Sequence, residues 1–170
     1  MYDRVVAAGT AYGLRHAGLK ALSSLRMEKG YRDYGHDIDN TDGVLEAGLG
    51  FVVAMDKPGG FLGRDAVLAR KAAGPLTRGL LQVKVLDPQP QMFHAEVVHR
   101  DGRPVGYVRA ASYGFTLGGA VGLAMVDAGE PLDQGWIDAG TWEVDIAGTR
   151  YPATASLRPM YDPKNERVRG

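Results

Sequence analysis

The sequence predicts an α+β fold: a helical, glycine-punctuated first part, residues 1–75, followed by an all-β second part, residues 76–170. Three observations carry this reading. Helix-forming segments stop at Gly74-Pro75, which marks the boundary between the two parts. Beyond it the apolar period becomes two, with Leu81, Val83 and Val85 alternating with Gln82 and Lys84, and Trp142, Val144 and Ile146 alternating with Glu143 and Asp145. Asp101-Gly102 and Ala147-Gly148 each separate two strand-like runs and read as hairpin turns.

Taken in order, Tyr2, Val5, Val6 and Tyr12 recur near helical spacing, with Asp3 as the expected cap and Gly13 as a left-handed stop. No strand precedes this helix to pack on, so an upstream segment is expected. Ala21 to Lys29 reads as a short helix in which Ser23 or Ser24 can cap a turn, followed by a loop through Gly30 and Gly35. Here Arg26, Glu28, Lys29, Arg32, Asp33, His36, Asp37 and Asp39 are interleaved with Leu25, Met27, Tyr31, Tyr34 and Ile38 without a clean period. Such mixing predicts a polar layer at the edge of a core rather than a surface helix. Phe51 to Met55 reads as a buried strand, Lys57-Pro-Gly-Gly60 as a turn, and Arg64 to Ala73 as a helix. In the second part, Gly118 to Val126 adds a glycine-rich strand. The total of about five or six short strands fits a small antiparallel barrel or sandwich. The run from Arg158 to Arg169 is a polar tail, expected on a surface or against a partner.

With 170 residues, 45% of them hydrophobic, the chain has enough material for one sizeable core or for a small domain joined to part of another. Twenty basic residues balance twenty acidic ones, and no basic tract carries interleaved aromatics, so no nucleic-acid partner is expected. No apolar run reaches the roughly 20 residues of a membrane span and no signal peptide is evident. The chain reads as soluble and cytoplasmic, without a membrane partner. The absence of cysteine excludes disulfides, thiolate nucleophiles and cysteine-ligated zinc.

Common catalytic patterns do not fit. Asp37, Asp39 and Asp42 resemble the start of a calcium loop, but the turn glycine comes one residue late and Gly48 stands where the closing glutamate belongs. Gly48 and Gly50 begin a dinucleotide fingerprint that fails at Val53. His16, His36, His94 and His99 lack metal-ligand spacing, and no Gly-x-Ser-x-Gly elbow is present.

The order of motifs carries more. Gly18-Leu-x-Ala-x-Ser-x-Leu-Arg-Met-Glu-Lys-Gly-Tyr-Arg-x-Tyr-Gly-His-Asp-Ile, then Leu45-Glu-Ala-Gly-Leu-Gly-Phe51, then Phe61-Leu-Gly-Arg-Asp-Ala-Val-Leu68, resembles the folate-binding aminomethyltransferase (glycine-cleavage T-protein) family. Glu28-Lys-Gly-Tyr-Arg32, Pro90-Gln-Met-Phe93, Gly106-Tyr-Val-Arg-Ala-Ala-Ser-Tyr-Gly-Phe115 and the ending Tyr161 to Val168 are most similar to its sarcosine and dimethylglycine dehydrogenase branch. The resemblance covers essentially the whole chain. It implies the C-terminal part of a folate-binding domain over 1–75 and a terminal β-barrel over 76–170. It implies tetrahydrofolate as cofactor, with an incomplete site in this chain. FAD and its flavin domain lie in a missing upstream partner, so this chain alone is expected to be inactive.

The resemblance also points to site residues. Phe51 stands where the family places an aromatic beside the pterin; its alternative is strand core. Tyr34 offers a hydroxyl to a folate cavity, or anchors a buried loop. Arg26 and Glu28 are candidate folate contacts, although two residues apart they do not face one another along a helix, and separate ion pairs tying down the loop are the other reading. The family's arginine before the short helix is Leu22 here. Tyr113 and Arg109 are candidates to line a passage for the one-carbon unit, against sheet packing and a solvated arginine. Arg158 and Arg167 are candidates for folate carboxylates, against a solvated tail. No catalytic and no metal-binding residue is assigned. Two other readings stay open: a free-standing aminomethyltransferase-like one-carbon transferase subunit, and a non-catalytic docking module. The leading reading predicts an exposed apolar face on residues 1–75, through which a homo-oligomer can also form.

Overall fold

The period-two pattern after Pro75 becomes six strands in the computed structural model, which describes all 170 residues. They are β1 (Arg78–Val85), β2 (Val97–Arg100), β3 (Arg103–Gly114), β4 (Gly119–Asp127), β5 (Trp142–Ile146) and β6 (Thr149–Ser156). All pairings are antiparallel, in the order β1-β4-β3-β2-β5-β6, and β6 returns to β1 to close a barrel. Closure leaves no strand edge exposed. Both expected hairpins form: Asp101 (φ 52°) and Gly102 (φ 76°) join β2 to β3, and Ala147 (φ 51°) and Gly148 (φ 84°) join β5 to β6. Positive φ at both central positions suits the right-handed twist of the flanking strands.

Leu81, Val83, Val85, Val98, Val108 and Val144 fill the interior, closed by Trp136 and Trp142, whose rings meet edge to face at 5.4 Å. A second apolar layer lies outside the barrel. It joins Met27 and Ile38 to Leu80, Ala110, Val121, Leu123 and Met125, so β4 is buried on both faces. The half-buried alternation expected of β1 therefore fails at Gln82, which is 3% exposed. Its amide donates to the Met27 and Glu28 carbonyls and its oxygen accepts from the Met160 amide. A bulge at Arg109 lets β3 serve both layers. Val108 points into the barrel and Ala110 to the outer layer, because the skipped residue reverses the alternation.

The first part supplies the outer cover. Helix α1 (Tyr2–Gly9) begins after Met1 without a side-chain cap, so Asp3 lies in its first turn; Gly13 (φ 71°) ends the following turn as expected. None of the residues of α1 is buried. Helix α2 (Leu19–Glu28) starts two residues earlier than expected, with Gly18 at its N-cap, and no serine caps it. Ser23 donates to the Leu19 carbonyl within the helix, while Ser24 reaches the Tyr113 carbonyl at 2.6 Å on β3. The expected strand at Phe51–Met55 is a 3-10 turn, Gly50–Val52, open to solvent, because no neighbouring strand is there to pair with it. Helix α3 (Arg64–Ala72) forms as expected; α4 (Gln134–Asp138) and α5 (Glu166–Arg169) are short additions. Several large apolar residues of the first part, Tyr2, Tyr12, Leu19, Leu22, Phe51 and Leu62, are exposed to solvent. No helix is long and apolar enough to cross a membrane.

The tail docks on its own chain. Lys29 Nζ donates to the Asp162 carbonyl (2.7 Å), Asp162 Oδ2 (3.0 Å) and Asn165 Oδ1 (2.6 Å), which uses all three ammonium protons. Burial pushes the Asp162 carboxyl up, but the Lys29 hydrogen bond and the Arg167 and Glu166 amides outweigh it, leaving the group below its ordinary value of 3.8. A lowered folded-state pKa stabilises the docked tail above that value and ceases to do so as pH falls through the folded value. Limited proteolysis is expected to cut between Arg158 and Arg169 slowly at neutral pH and faster in Lys29→Met. In the wild-type chain, an acid-active protease is expected to meet a protected tail at pH 5 and a freed one below the ordinary aspartate range. Equal cutting of wild type and K29M would contradict the docking.

Candidate functional site

Two clefts meet on the face covered by α2 and the loop after it. The smaller, about 470 Å³, is lined by Tyr31, Arg32, Tyr34, Ile38, Leu49 and Phe51. The larger, about 1190 Å³, runs between α2 and β3; Leu22, Leu25, Arg26, Phe93, Tyr113 and Phe115 are among its walls. Tyr31 and Arg32 belong to both.

Asp37 organises the loop between the clefts. Its side chain is fully buried, pairs with Arg26 through Oδ2, and accepts the Asp33 amide at 2.8 Å. Arg26 also donates to the Tyr31 carbonyl at 2.9 Å. A buried carboxylate held by a guanidinium and an amide fixes the chain path around it. Gly35 (φ 87°) then turns the chain so that Tyr34 and Ile38 form a bridge. On the far side, Asp42 Oδ1 accepts from Arg78 (3.0 Å) and Arg109 (3.4 Å), fastening the loop to β1 and β3. The Thr41 hydroxyl and amide lower the Asp39 carboxyl against the opposing effect of burial, and Arg109 and Arg78 add to the lowering. The polar layer expected of this stretch is thus present, with Ser24, Glu28, Lys29 and Asp37 all buried.

The expected site residues divide. Phe51 and Tyr34 share the smaller cleft, 82% and 71% exposed, so neither is the core residue or buried anchor of its alternative reading. Arg26 lines the larger cleft and makes the ion pair expected of it. Glu28 makes no ion pair; it is 1% exposed, and Oε1 accepts the Thr116 (2.6 Å) and Leu117 (2.9 Å) amides of the turn between β3 and β4. It lines neither cleft. Tyr113 lies in the larger cleft with its ring 5.1 Å from Phe115. Arg109 does not: its side chain is turned to Asp42 and Asp39 rather than solvated. Arg158 and Arg167 are solvent-exposed. Sequence reasoning assigned no role to Arg32, whose only signal was its place among the aromatics, or to Gln82, which looked like an ordinary outward-facing polar residue of an alternating strand.

Residues 78–162 match the family described as the glycine cleavage T-protein C-terminal barrel domain, and residues 1–57 match the GCVT N-terminal domain. The chain is 47% identical to 4-methylaminobutanoate oxidase (formaldehyde-forming) of Paenarthrobacter nicotinovorans, over 99% of this chain and 20% of that protein. It is 38% identical to mitochondrial sarcosine dehydrogenase of Homo sapiens, over 100% of this chain and 18% of that one. It thus spans about a fifth of the length of these relatives. The crystal structure of glycine cleavage system aminomethyltransferase T from Bartonella henselae shares the fold, with a TM-score of 0.75 and 22% identity over 94% of this chain and 44% of that one.

Proposed function

The chain belongs to the glycine cleavage T-protein family, and from that premise we propose that it is the folate module of a flavin-dependent enzyme of the sarcosine or dimethylglycine dehydrogenase kind. In that role it passes the one-carbon unit of an oxidised N-methyl amine to tetrahydrofolate. The observation that carries the reading is the pair of flat rings, Tyr34 and Phe51, exposed on one cleft above Ile38 and Leu49. A flat heterocycle suits such walls. The end-to-end similarity to an oxidase of a methylamino acid and to a sarcosine dehydrogenase supports the enzyme class.

Each element of the site has a role under this reading. Residues 1–75 form the end of the folate-binding domain and 76–170 the barrel, tied by the Leu80 amide donating to the Glu46 carbonyl at 2.8 Å. Tetrahydrofolate, when bound, supplies the nitrogens that accept the one-carbon unit. Phe51 and Tyr34, which line one cleft, would offer flat apolar surface to its ring and keep water from that side. Arg26, oriented by Asp37, forms part of the wall of the larger cleft. Glu28 acts indirectly, by holding the turn that follows Tyr113 and Phe115. The glycine pair that begins a dinucleotide fingerprint does not form one: Gly48 and Gly50 lie in a turn and a 3-10 segment rather than between a strand and a helix. The flavin is assigned to a separate flavin domain as partner.

Isothermal titration with tetrahydrofolate tests the reading. The rings of the smaller cleft are open to water, so binding by the chain alone is expected to be weaker than micromolar and to saturate only at millimolar ligand. Phe51→Ala is expected to weaken it about fivefold, the equivalent of about 1 kcal/mol of ring stacking, while leaving the thermal midpoint unchanged. A micromolar Kd would favour the free-standing one-carbon transferase instead. No saturable binding at millimolar ligand overturns the folate reading.

A further inference from the structure

We infer that Arg32 is a carboxylate-recognising residue, placed where the two clefts meet to take the acid end of an organic anion whose body lies along the apolar walls. The inference deepens the folate reading and depends on it only for the identity of the ligand.

The guanidinium is fixed in place before any ligand arrives. Arg32 Nε donates to the Ala47 carbonyl at 3.0 Å and Nη1 to the Gly30 carbonyl at 2.6 Å, so two sides of the fork are held by backbone. Nη2 makes no hydrogen bond in the chain and is not fully enclosed, and Arg32 lines both clefts. Gly48 leaves it room: at φ +68° its missing Cβ would stand 2.7 Å from Nη2. Charge completes the argument. Arg26, Arg70, Arg78, Arg100 and Arg109 each pair with a carboxylate, whereas half-buried Arg32 has none. Burial lowers its pKa, and Asp37 only partly offsets this. A half-buried cation without a counter-ion is costly, and an incoming anion recovers that cost.

The chemistry of the anion follows from what surrounds the fork. One uncommitted guanidinium nitrogen, in a cleft that Asp33 also lines, suits a single negative charge better than a phosphate dianion. Aromatic and aliphatic walls on both sides favour a carboxylate carried on a flat or short apolar body. Two sources share this chemistry: the glutamyl end of a folate and the acid group of an N-methyl amino acid.

The Arg32 Nε–Hε resonance of the full chain, identified by its loss in Arg32→Lys, reads the site directly. It is followed while 4-aminobenzoyl-glutamate, N-methylglycine or a tetrahydropterin without a carboxylate is added. A saturable shift with 4-aminobenzoyl-glutamate assigns the site to the folate tail; one with N-methylglycine alone assigns it to the amino acid. The tetrahydropterin is expected to leave the resonance in place. Arg32→Gln is expected to weaken binding of the active carboxylate at least tenfold, and Arg32→Lys less, because the charge remains but the fork is lost. If neither carboxylate shifts the resonance, or if R32Q binds as wild type does, the inference fails. Tetrahydrofolate that binds wild type and R32Q equally would sink it while leaving the folate reading intact. An N-methylglycine response without any folate binding would do the reverse.

Discussion

Glu28→Ala is expected to lower the unfolding free energy by about 3 kcal/mol, which scanning calorimetry would record as a fall of roughly 6–12 °C in thermal midpoint for a chain of this size. The carboxylate is enclosed, and one oxygen takes two backbone amides of the turn between β3 and β4. Alanine leaves the Thr116 and Leu117 amides without the acceptor that holds the turn. The turn sits directly over the carboxylate, since a Cβ on Gly114 would stand 3.1 Å from Oε1. The backbone has little freedom to find another partner. Glu28→Gln keeps an acceptor oxygen in the same place and should cost about 1 kcal/mol. A midpoint for E28A within about 2 °C of wild type would mean that the turn does not depend on this carboxylate. Because Tyr113 and Phe115 lead into that turn, E28A should also disturb the larger cleft.

Gly106→Ala is expected to cost about 3 kcal/mol or more, or to prevent folding. Gly106 lies opposite Val126 in the β3–β4 pairing, and an added Cβ would overlap the Met125 carbonyl oxygen and lie 2.9 Å from Val126 Cα. These are backbone atoms of the adjacent strand. They do not rotate aside as a side chain does, and moving them breaks the pairing on which closure of the barrel depends. Gly102→Ala is the control. Gly102, unlike Gly106, carries positive φ (76°), and nothing lies within 4 Å of its added Cβ, so only the cost of the left-handed conformation remains, about 1 kcal/mol. Urea unfolding of the two variants separates overlap from backbone strain. Equal losses would mean that the β3–β4 spacing is wider than described.

Features set by neighbours in the chain were legible before any coordinates. Asp101-Gly102 is a turn because both residues tolerate positive φ, Ala147-Gly148 because Gly148 does, and Gly13 stops the first helical segment for the same reason. Trp142 and Val144 announce a strand with one buried face, and the structure keeps it so. The ordered motifs from Gly18 to Phe51 carried the family, and the period change after Pro75 carried the barrel. The strand expected over Phe51 to Met55 did not form, for an instructive reason. A run of apolar residues has the same local pattern whether or not a strand lies beside it, and here none does.

What the sequence by itself determined was local: turn conformations, the period of the barrel strands, the helix of Arg64–Ala72, and a stretch after Leu22 where charges had to be buried. Only the tertiary structure decided which groups satisfy those charges. Glu28 finds its amides 88 and 89 residues away, Lys29 its oxygens 133 and 136 away, and Gln82 the Met160 amide 78 away. It also decided that β4 is buried on both faces and that Arg32 is left without a counter-ion. The reason is physical. Backbone preference and side-chain periodicity act over a few residues, whereas the partner of a buried polar group is whatever atom the folded chain brings within hydrogen-bonding distance.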